Sequence, residues 1–306
     1  MTALETIREA PGLERYLDLL EERLGATVAA YPGLLRIIAA DTLAAGGKRL
    51  RPLLVFLSTP RGERDSERAV AGGAAVELVH MATLVHDDLL DGADLRRGRP
   101  TVWAEHGEGA AKAAGDYLFA RAFAQLARAG DPRAVAILAE AALALARGEA
   151  LQRRQAFHPD TSVEEYLARC SLKTGKLFEA ACLLGGNGRG LGDFGLALGV
   201  AFQIADDILD CAGDYHATGK EGGVDLKDGT PTLPLIIAAR RDRQVWRALA
   251  GEQIRDALKR VETTGALEEA RRVALQYAER ARESLDGEPD AESLEALTHA
   301  VVEREA

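Results

Sequence analysis

Apolar positions along the 306-residue chain recur at helical spacing almost throughout. From Leu13 to Ala30 apolar and charged residues alternate with the helical period, and the turn Tyr31-Pro32-Gly33 closes that segment. The same reading predicts helices over 34–43, 110–129, 132–157 and 163–184, and further amphipathic helices from Leu235 onward. Two runs differ in kind. From Val70 to Val85, and again from Leu196 to Ile208, apolar residues occupy nearly every side of the helical projection, with Glu77 and His80 the main interruptions of the first. Both are predicted to be buried helices. Strand-like alternation is hard to find, and the ten prolines fall mostly between periodic segments. The pattern predicts an all-α fold, a single domain over 1–306 in which facing helices line a central cavity.

Each of the two apolar runs ends in the same acidic pattern: Asp87, Asp88 and Asp91 after MATLVH, and Asp206, Asp207 and Asp210 after LGVAFQIA. Side chains four apart share a helix face, so Asp87 pairs with Asp91 and Asp206 with Asp210. Carboxylates at the end of a buried helix are strongly disfavoured unless cations compensate them. One such triplet could be a solvated helix end; two copies on apolar helices point instead to a shared site for divalent metal. Hard divalent ions take oxygen ligands and often bind through one or two carboxylates plus a substrate phosphate. Asp87, Asp91 and Asp206 are the expected direct ligands. Asp88, turned about 100° from Asp87, is expected to act through water or to support a neighbour, as are Asp207 and Asp210.

Basic residues supply the complement. Lys48, Arg49 and Arg51 follow the paired Gly46 and Gly47, and Arg96 and Arg97 lie just beyond the first acidic triplet. Guanidinium groups bind phosphate oxygens through paired hydrogen bonds and ammonium groups act as compact charges, so two phosphorylated substrates are expected.

A net charge of −10 argues against non-specific nucleic-acid binding. No apolar run reads as long and uninterrupted enough to span a bilayer, and the N-terminus lacks the regions of a signal peptide, so the cytoplasm is the expected location. Cys170, Cys182 and Cys211 lack metal-ligand spacing and read as small core residues of a reducing compartment. The GxGxxG match at Gly190–Gly195 has no strand before it and reads as an interhelical turn, and His86 reads as a packed or hydrogen-bonded histidine.

GGKRLRP, HDDLLD followed by RRGRPTVW, the pair Lys173-Thr174, and GVAFQIADDILD followed by TGKEGGVDLKDGTPTLP, in this order from Gly46 to Pro234, resemble the trans-isoprenyl diphosphate synthase (polyprenyl synthetase) family. The resemblance implies an isoprenoid synthase type of helical bundle, a homodimer, and magnesium ions, three per site. It further implies that Lys48, Arg51, His80 and Arg97 bind the diphosphate of isopentenyl diphosphate, and that Arg96, Lys173 and Lys220 hold an allylic diphosphate. Thr174 and Gln203 would stabilise the allylic cation. One departure stands out: Gly229-Thr230 replaces the Gly-Lys of many members, and Lys227 is a candidate substitute for that cation. The end VEREA also lacks the basic terminus of some relatives.

Product length rests on the residues before Asp87. A helix rises about 5.4 Å per turn, comparable to an isoprene unit, so Ala82, Thr83 and Val79 should floor a hydrocarbon tunnel. Family members that stop at farnesyl diphosphate often place an aromatic residue there. Small residues leave the route open, and a geranylgeranyl or longer all-trans product is expected, unless Met81, Phe119 or Phe123 plugs the tunnel lower down and limits the product to farnesyl length. An ionisation-dependent terpene cyclase would lack the second aspartate triplet and need no GGKRLRP segment, and a non-catalytic synthase subunit would have lost acidic ligands.

Overall fold

The computed structural model describes Ile7 and residues 10–212, 223–288 and 291–302, and regular structure among them is almost entirely helical. The described residues of Glu5–Ala142 and Ala180–Leu191 form one compact unit, and those of Leu143–Glu179 and Gly192–Ala306 a second.

In the first unit, α1 (Leu13–Ala29), α2 (Leu34–Ala44), α3 (Leu50–Ser58), α4 (Glu67–Asp91) and α5 (Val102–Arg128) are followed by the start of α6 (Pro132–Gln155). Helix α4 is the centre of this unit and packs against α1, α3 and α5. Ser66 caps its N-terminus by accepting from the Ala69 amide, and Gly92, at φ 61°, ends it immediately after Asp91. Its core positions, including Val76, Leu78, Val79 and Ala82, are fully buried.

One expectation is corrected here. By length and composition α4 is apolar enough to cross a membrane, the one helix among the described residues that is, although no such run was expected. In this fold its apolar sides are consumed by neighbouring helices, and 78% of that stretch is buried.

The second unit is built around α11 (Leu233–Arg241), after α7 (Val163–Cys170), α8 (Lys176–Gly185), α9 (Arg189–Ala212) and α10 (Val224–Lys227) have been laid down. Helices α12 (Arg243–Leu249), α13 (Ala257–Thr263) and α14 (Ala266–Glu283) pack on α11, and α15 (Glu292–Val302) packs on α14. Its core joins Tyr166 and Cys170 to Val200, Ile204 and Ile208 of α9 and to the apolar face of α11.

Close approach between helices in this unit is bought by missing side chains. A Cβ on Gly199 would lie 2.7 Å from the Gly175 Cα, and one on Gly148 would lie 2.7 Å from the Lys173 backbone nitrogen. Backbone, not flexible side chain, fills both spaces. Between α7 and α8 the chain makes a π turn over Ser171–Gly175, which carries Lys173 and Thr174 into that crossing.

Three local expectations also change. The GLGDFG segment is the first turns of α9, not a turn between helices, because Gly195 lies against the backbone of Phe178 and Glu179. The polar loop after α4 contains a short antiparallel ribbon, β1 (Leu95–Arg96) with β2 (Arg99–Pro100). Its central Arg97 and Gly98 both have positive φ, the geometry a two-residue hairpin turn requires. Helix α5 starts at Val102 rather than near 110, capped by the Thr101 hydroxyl and bent at Gly107.

Because the neighbour at Gly199 is backbone, Gly199→Ala should destabilise the protein by about 1–3 kcal/mol. Urea unfolding of the two proteins measures the difference, and an unchanged midpoint would contradict the close crossing.

Candidate active site

In the first unit, Asp87, Asp88 and Asp91 occupy the last two turns of α4, the end at which the helix dipole disfavours anions. Asp88 is buried and accepts from Arg96 Nε through both oxygens, at 2.7 and 2.9 Å. Asp87 is half-buried and Asp91 exposed. The ribbon therefore returns Arg96 to the helix end that precedes it. His86 lies over Gly115 and stacks on Phe119, with ring centroids 6.0 Å apart, so it is a packed residue.

The loop before α3 meets the same ribbon. Arg97 donates to the carbonyl oxygens of Ala45 and Gly46, and a Cβ on Gly47 would lie 3.6 Å from an Arg97 guanidinium nitrogen. Arg49, in the left-handed region at φ 48°, bridges Glu21 and the buried Glu77. Burial and then the fields of Arg51, Arg96, Arg97 and Arg49 hold the His80 imidazole well below its ordinary pKa of 6.5. His80 thus reports that the basic residues predicted from separate sequence segments surround one point. Lys48 is exposed beside them. Val79 and Ala82 are fully buried, and Thr83 turns its hydroxyl back to the His80 carbonyl at 2.8 Å.

The second acidic triplet ends α9 in the second unit. Asp207 is buried and accepts from Tyr166 Oη at 2.6 Å and from Gln203 Nε2 at 2.8 Å. Burial raises its pKa to about 6, with Asp206 adding to the rise while Tyr166, Gln203 and Arg169 oppose it. Asp210 accepts from the amides of Val224 and Asp225, at 3.2 and 3.1 Å, and so ties α10 to the end of α9. Thr174 Oγ1 donates to Gln203 Oε1 at 2.6 Å, and Lys173 Nζ donates to Glu149 at 2.6 Å and Gln152 at 3.2 Å.

Several partners were not anticipated. Asp225 joins the second cluster, and burial with the charges of Asp207 and Asp210 pushes its carboxyl well above the usual range. Buried Arg169 donates to Gln155 and to the Pro231 carbonyl, and lies over the Tyr166 ring. Glu149 pairs with Lys173. Asp225 stood within the segment TGKEGGVDLKDGTPTLP, but a single acid in a four-residue helix carries no periodic signal. Thr230, which replaces the common lysine, is nearly buried and donates its amide to the Asp225 carbonyl at 2.8 Å. Lys227 is exposed. Lys220 and residues 303–306 lie outside the described residues.

Comparison with known proteins adds to this geometry. The polyprenyl synthetase family pattern matches residues 33–270. Heptaprenyl diphosphate synthase component 2 of Geobacillus stearothermophilus is 38% identical over 288 residues, 89% of this chain and 90% of the relative. Geranylfarnesyl diphosphate synthase of Aeropyrum pernix is 37% identical over 305 residues, 91% of this chain and 96% of the relative. The crystal structure of a polyprenyl synthase from Caulobacter crescentus, complexed with calcium and isoprenyl diphosphate, superposes with a TM-score of 0.85 at 34% identity, covering 100% of this chain and 98% of that one. The chain belongs to the polyprenyl synthetase family. Its activity is that of a polyprenyl diphosphate synthase, a prenyltransferase of isoprenoid biosynthesis.

The polyprenyl synthetase donor set suits a hard divalent cation, because both clusters offer carboxylate oxygen and neither offers thiolate. Among the described residues no group of three or more His, Cys, Asp or Glu side chains is gathered to hold a metal by itself. Such an ion would need further oxygens, as magnesium commonly draws from water and substrate phosphate. Burial is the first cause of the upward displacement of the Asp207 and Asp225 carboxyls, and neighbouring carboxylates add to it.

His80 gives a direct test of the basic cluster. Its folded pKa lies below the unfolded value, so its contribution to stability is complete above pH 6.5 and is lost as pH falls below it. A bound diphosphate would offset the field of these arginines. At pH 6.5, where an ordinary imidazole is half protonated, NMR should show a neutral His80 ring in the protein alone and proton uptake on adding inorganic pyrophosphate. A ring indifferent to saturating pyrophosphate would place the anion elsewhere.

Proposed function

We propose that this prenyltransferase condenses isopentenyl diphosphate head-to-tail with an allylic diphosphate to give an all-trans product of geranylgeranyl length or longer. The observation that carries the reading is the doubled acidic helix end, each copy with its own cationic neighbour: Arg96 beside Asp88, and Arg169 acting on Asp207. Asp87, Asp91 and Asp206 would hold magnesium, three ions in the full site, with Asp88, Asp207 and Asp210 in support. Calcium and isoprenyl diphosphate in the Caulobacter crescentus structure support that assignment. Magnesium there would neutralise charge on the leaving diphosphate.

The chain's own residues then divide the work. Arg51, Arg97, Lys48 and His80 bind the isopentenyl diphosphate, while Arg96, Lys173 and Lys220 hold the allylic one. Cationic side chains around the allylic diphosphate favour its departure with the electron pair of the carbon–oxygen bond. The isopentenyl double bond attacks the allylic cation, and the proton lost from the adduct passes to released pyrophosphate. Thr174 and Gln203 turn oxygen atoms toward the cation. Lys173 must leave Glu149 to reach a phosphate, an exchange of one anionic partner for another.

Small, buried Val79 and Ala82 support a product beyond farnesyl length, and so do relatives named for geranylfarnesyl and heptaprenyl diphosphates. We further propose one functional domain, a cytoplasmic location and a homodimer. The name component 2 on one relative favours a second reading, a heteromer, and sedimentation of the purified chain distinguishes a self-associated dimer from a lone subunit.

Incubation with labelled isopentenyl diphosphate, magnesium and each of several allylic primers should yield elongated products, and no elongation with any primer would refute the proposal. Asp87→Ala should lower turnover by a factor of about a hundred or more, on the scale of losing one strong charge-stabilising group. Ala82→Phe should shorten the product while sparing the first condensation, and an unchanged product distribution would count against the tunnel floor.

A further inference from the structure

We propose that Asp207, clamped by Tyr166, is a positioning residue that fixes the orientation of the Gln203 amide and thereby presents an oxygen, not an NH2 group, beside Thr174. The inference rests on the prenyl-transfer reading above and deepens it.

The hydrogen-bond directions carry the case. An ionised carboxylate only accepts, so Gln203 must turn its NH2 group to Asp207, and does so from Nε2 to Oδ1 at 2.8 Å. The amide oxygen is then forced to the opposite side, where the Thr174 hydroxyl donates to it at 2.6 Å. That commits the Thr174 proton to Gln203 and leaves the Thr174 oxygen with acceptor capacity only. Two oxygens with their electron density outward stand side by side, an arrangement that favours developing positive charge. A flipped amide would present the positive end of its dipole instead.

Tyr166 supplies the other half of the clamp. Its hydroxyl donates to the second Asp207 oxygen at 2.6 Å, and its ring is wholly buried among Val200, Ile204 and Ile208. Both Asp207 oxygens are therefore engaged by protein donors. The two donors hold the carboxylate in one orientation. The backbone arrangement serves the same end, since the close passage of Gly175 over Gly199 is what brings Thr174 within reach of α9 one turn before Gln203.

A residue acting through Gln203 loses its effect once Gln203 is gone, so a double-mutant cycle is decisive. Elongation by the full chain is measured for wild type, Asp207→Ala, Gln203→Leu and the double variant, each across a magnesium titration. Asp207→Ala should lower kcat by roughly tenfold or more, with KM for both substrates and the half-saturating magnesium concentration changed less than about twofold. In the Gln203→Leu background the same change should alter kcat by less than about twofold. Losses that multiply, or a half-saturating magnesium concentration raised about tenfold, would overturn the proposal and return Asp207 to the metal. Should Asp207→Ala fail to fold, Tyr166→Phe keeps the carboxylate and tests the same point: a kcat loss that vanishes in the Gln203→Leu background supports the clamp, and one that multiplies sinks it. A wild type that elongates no primer refutes the underlying reaction, a result distinct from an active wild type with multiplicative losses.

Discussion

Negative charge held at the carboxyl ends of two apolar helices is the constraint on which the rest of this protein turns. Helix α4 ends at Gly92 directly after Asp91, and α9 ends two residues after Asp210, so each triplet sits where unsatisfied backbone carbonyls already disfavour anions. Burial worsens the position of Asp88 and Asp207. The two ends relieve it differently. At α4 a short ribbon brings an arginine back onto the buried carboxylate, while at α9 the relief is by neutral donors, Tyr166, Gln203 and the amides of α10, with Arg169 acting at longer range. Neutral donors leave net charge in place, and in the proposed reaction a divalent ion would answer it.

The cationic side obeys the mirrored logic. Among the four arginines about His80, Glu77 and Glu21 take Arg49, Asp88 takes Arg96, and backbone carbonyls take Arg97. Glu77 is buried in the centre of α4, and removing its partner from such a pair typically costs about 3–5 kcal/mol. Arg49 is thereby a structural residue in the middle of a basic sequence run, while its neighbours Lys48 and Arg51 are directed to substrate in the proposed reaction. Composition alone cannot separate the two roles. The buried carboxylate on the facing helix does.

This sets the measure of what was readable in advance. Helix positions, the burial of α4 and α9, and the family followed from periodicity and from ordered motifs, because each of those is written in contiguous residues. The membrane-length character of α4 was missed since its interruptions, Glu77 and His80, read as disqualifying when they are in fact the polar contacts of a core helix. The π turn at Ser171–Gly175 and the crossing of Gly175 with Gly199 were invisible because glycine marks a turn, a hinge or a close approach with the same letter. Asp225, Glu149, Tyr166 and Arg169 escaped for a related reason: each acts on a site residue from another helix or loop, and single-chain spacing carries no record of such pairs.

The replacement at Thr230 follows from the same charge balance. A lysine at that position would place a cation close to Asp225, whose carboxyl is already pushed upward by Asp207 and Asp210. Threonine offers no charge, is nearly buried, and keeps only the amide bond to the Asp225 carbonyl. The second cluster of this chain therefore lacks the charge of the common lysine, and Arg169 lowers the pKa of Asp225. In the proposed reaction, the absence of a cation there would favour metal and disfavour a bare diphosphate at this end.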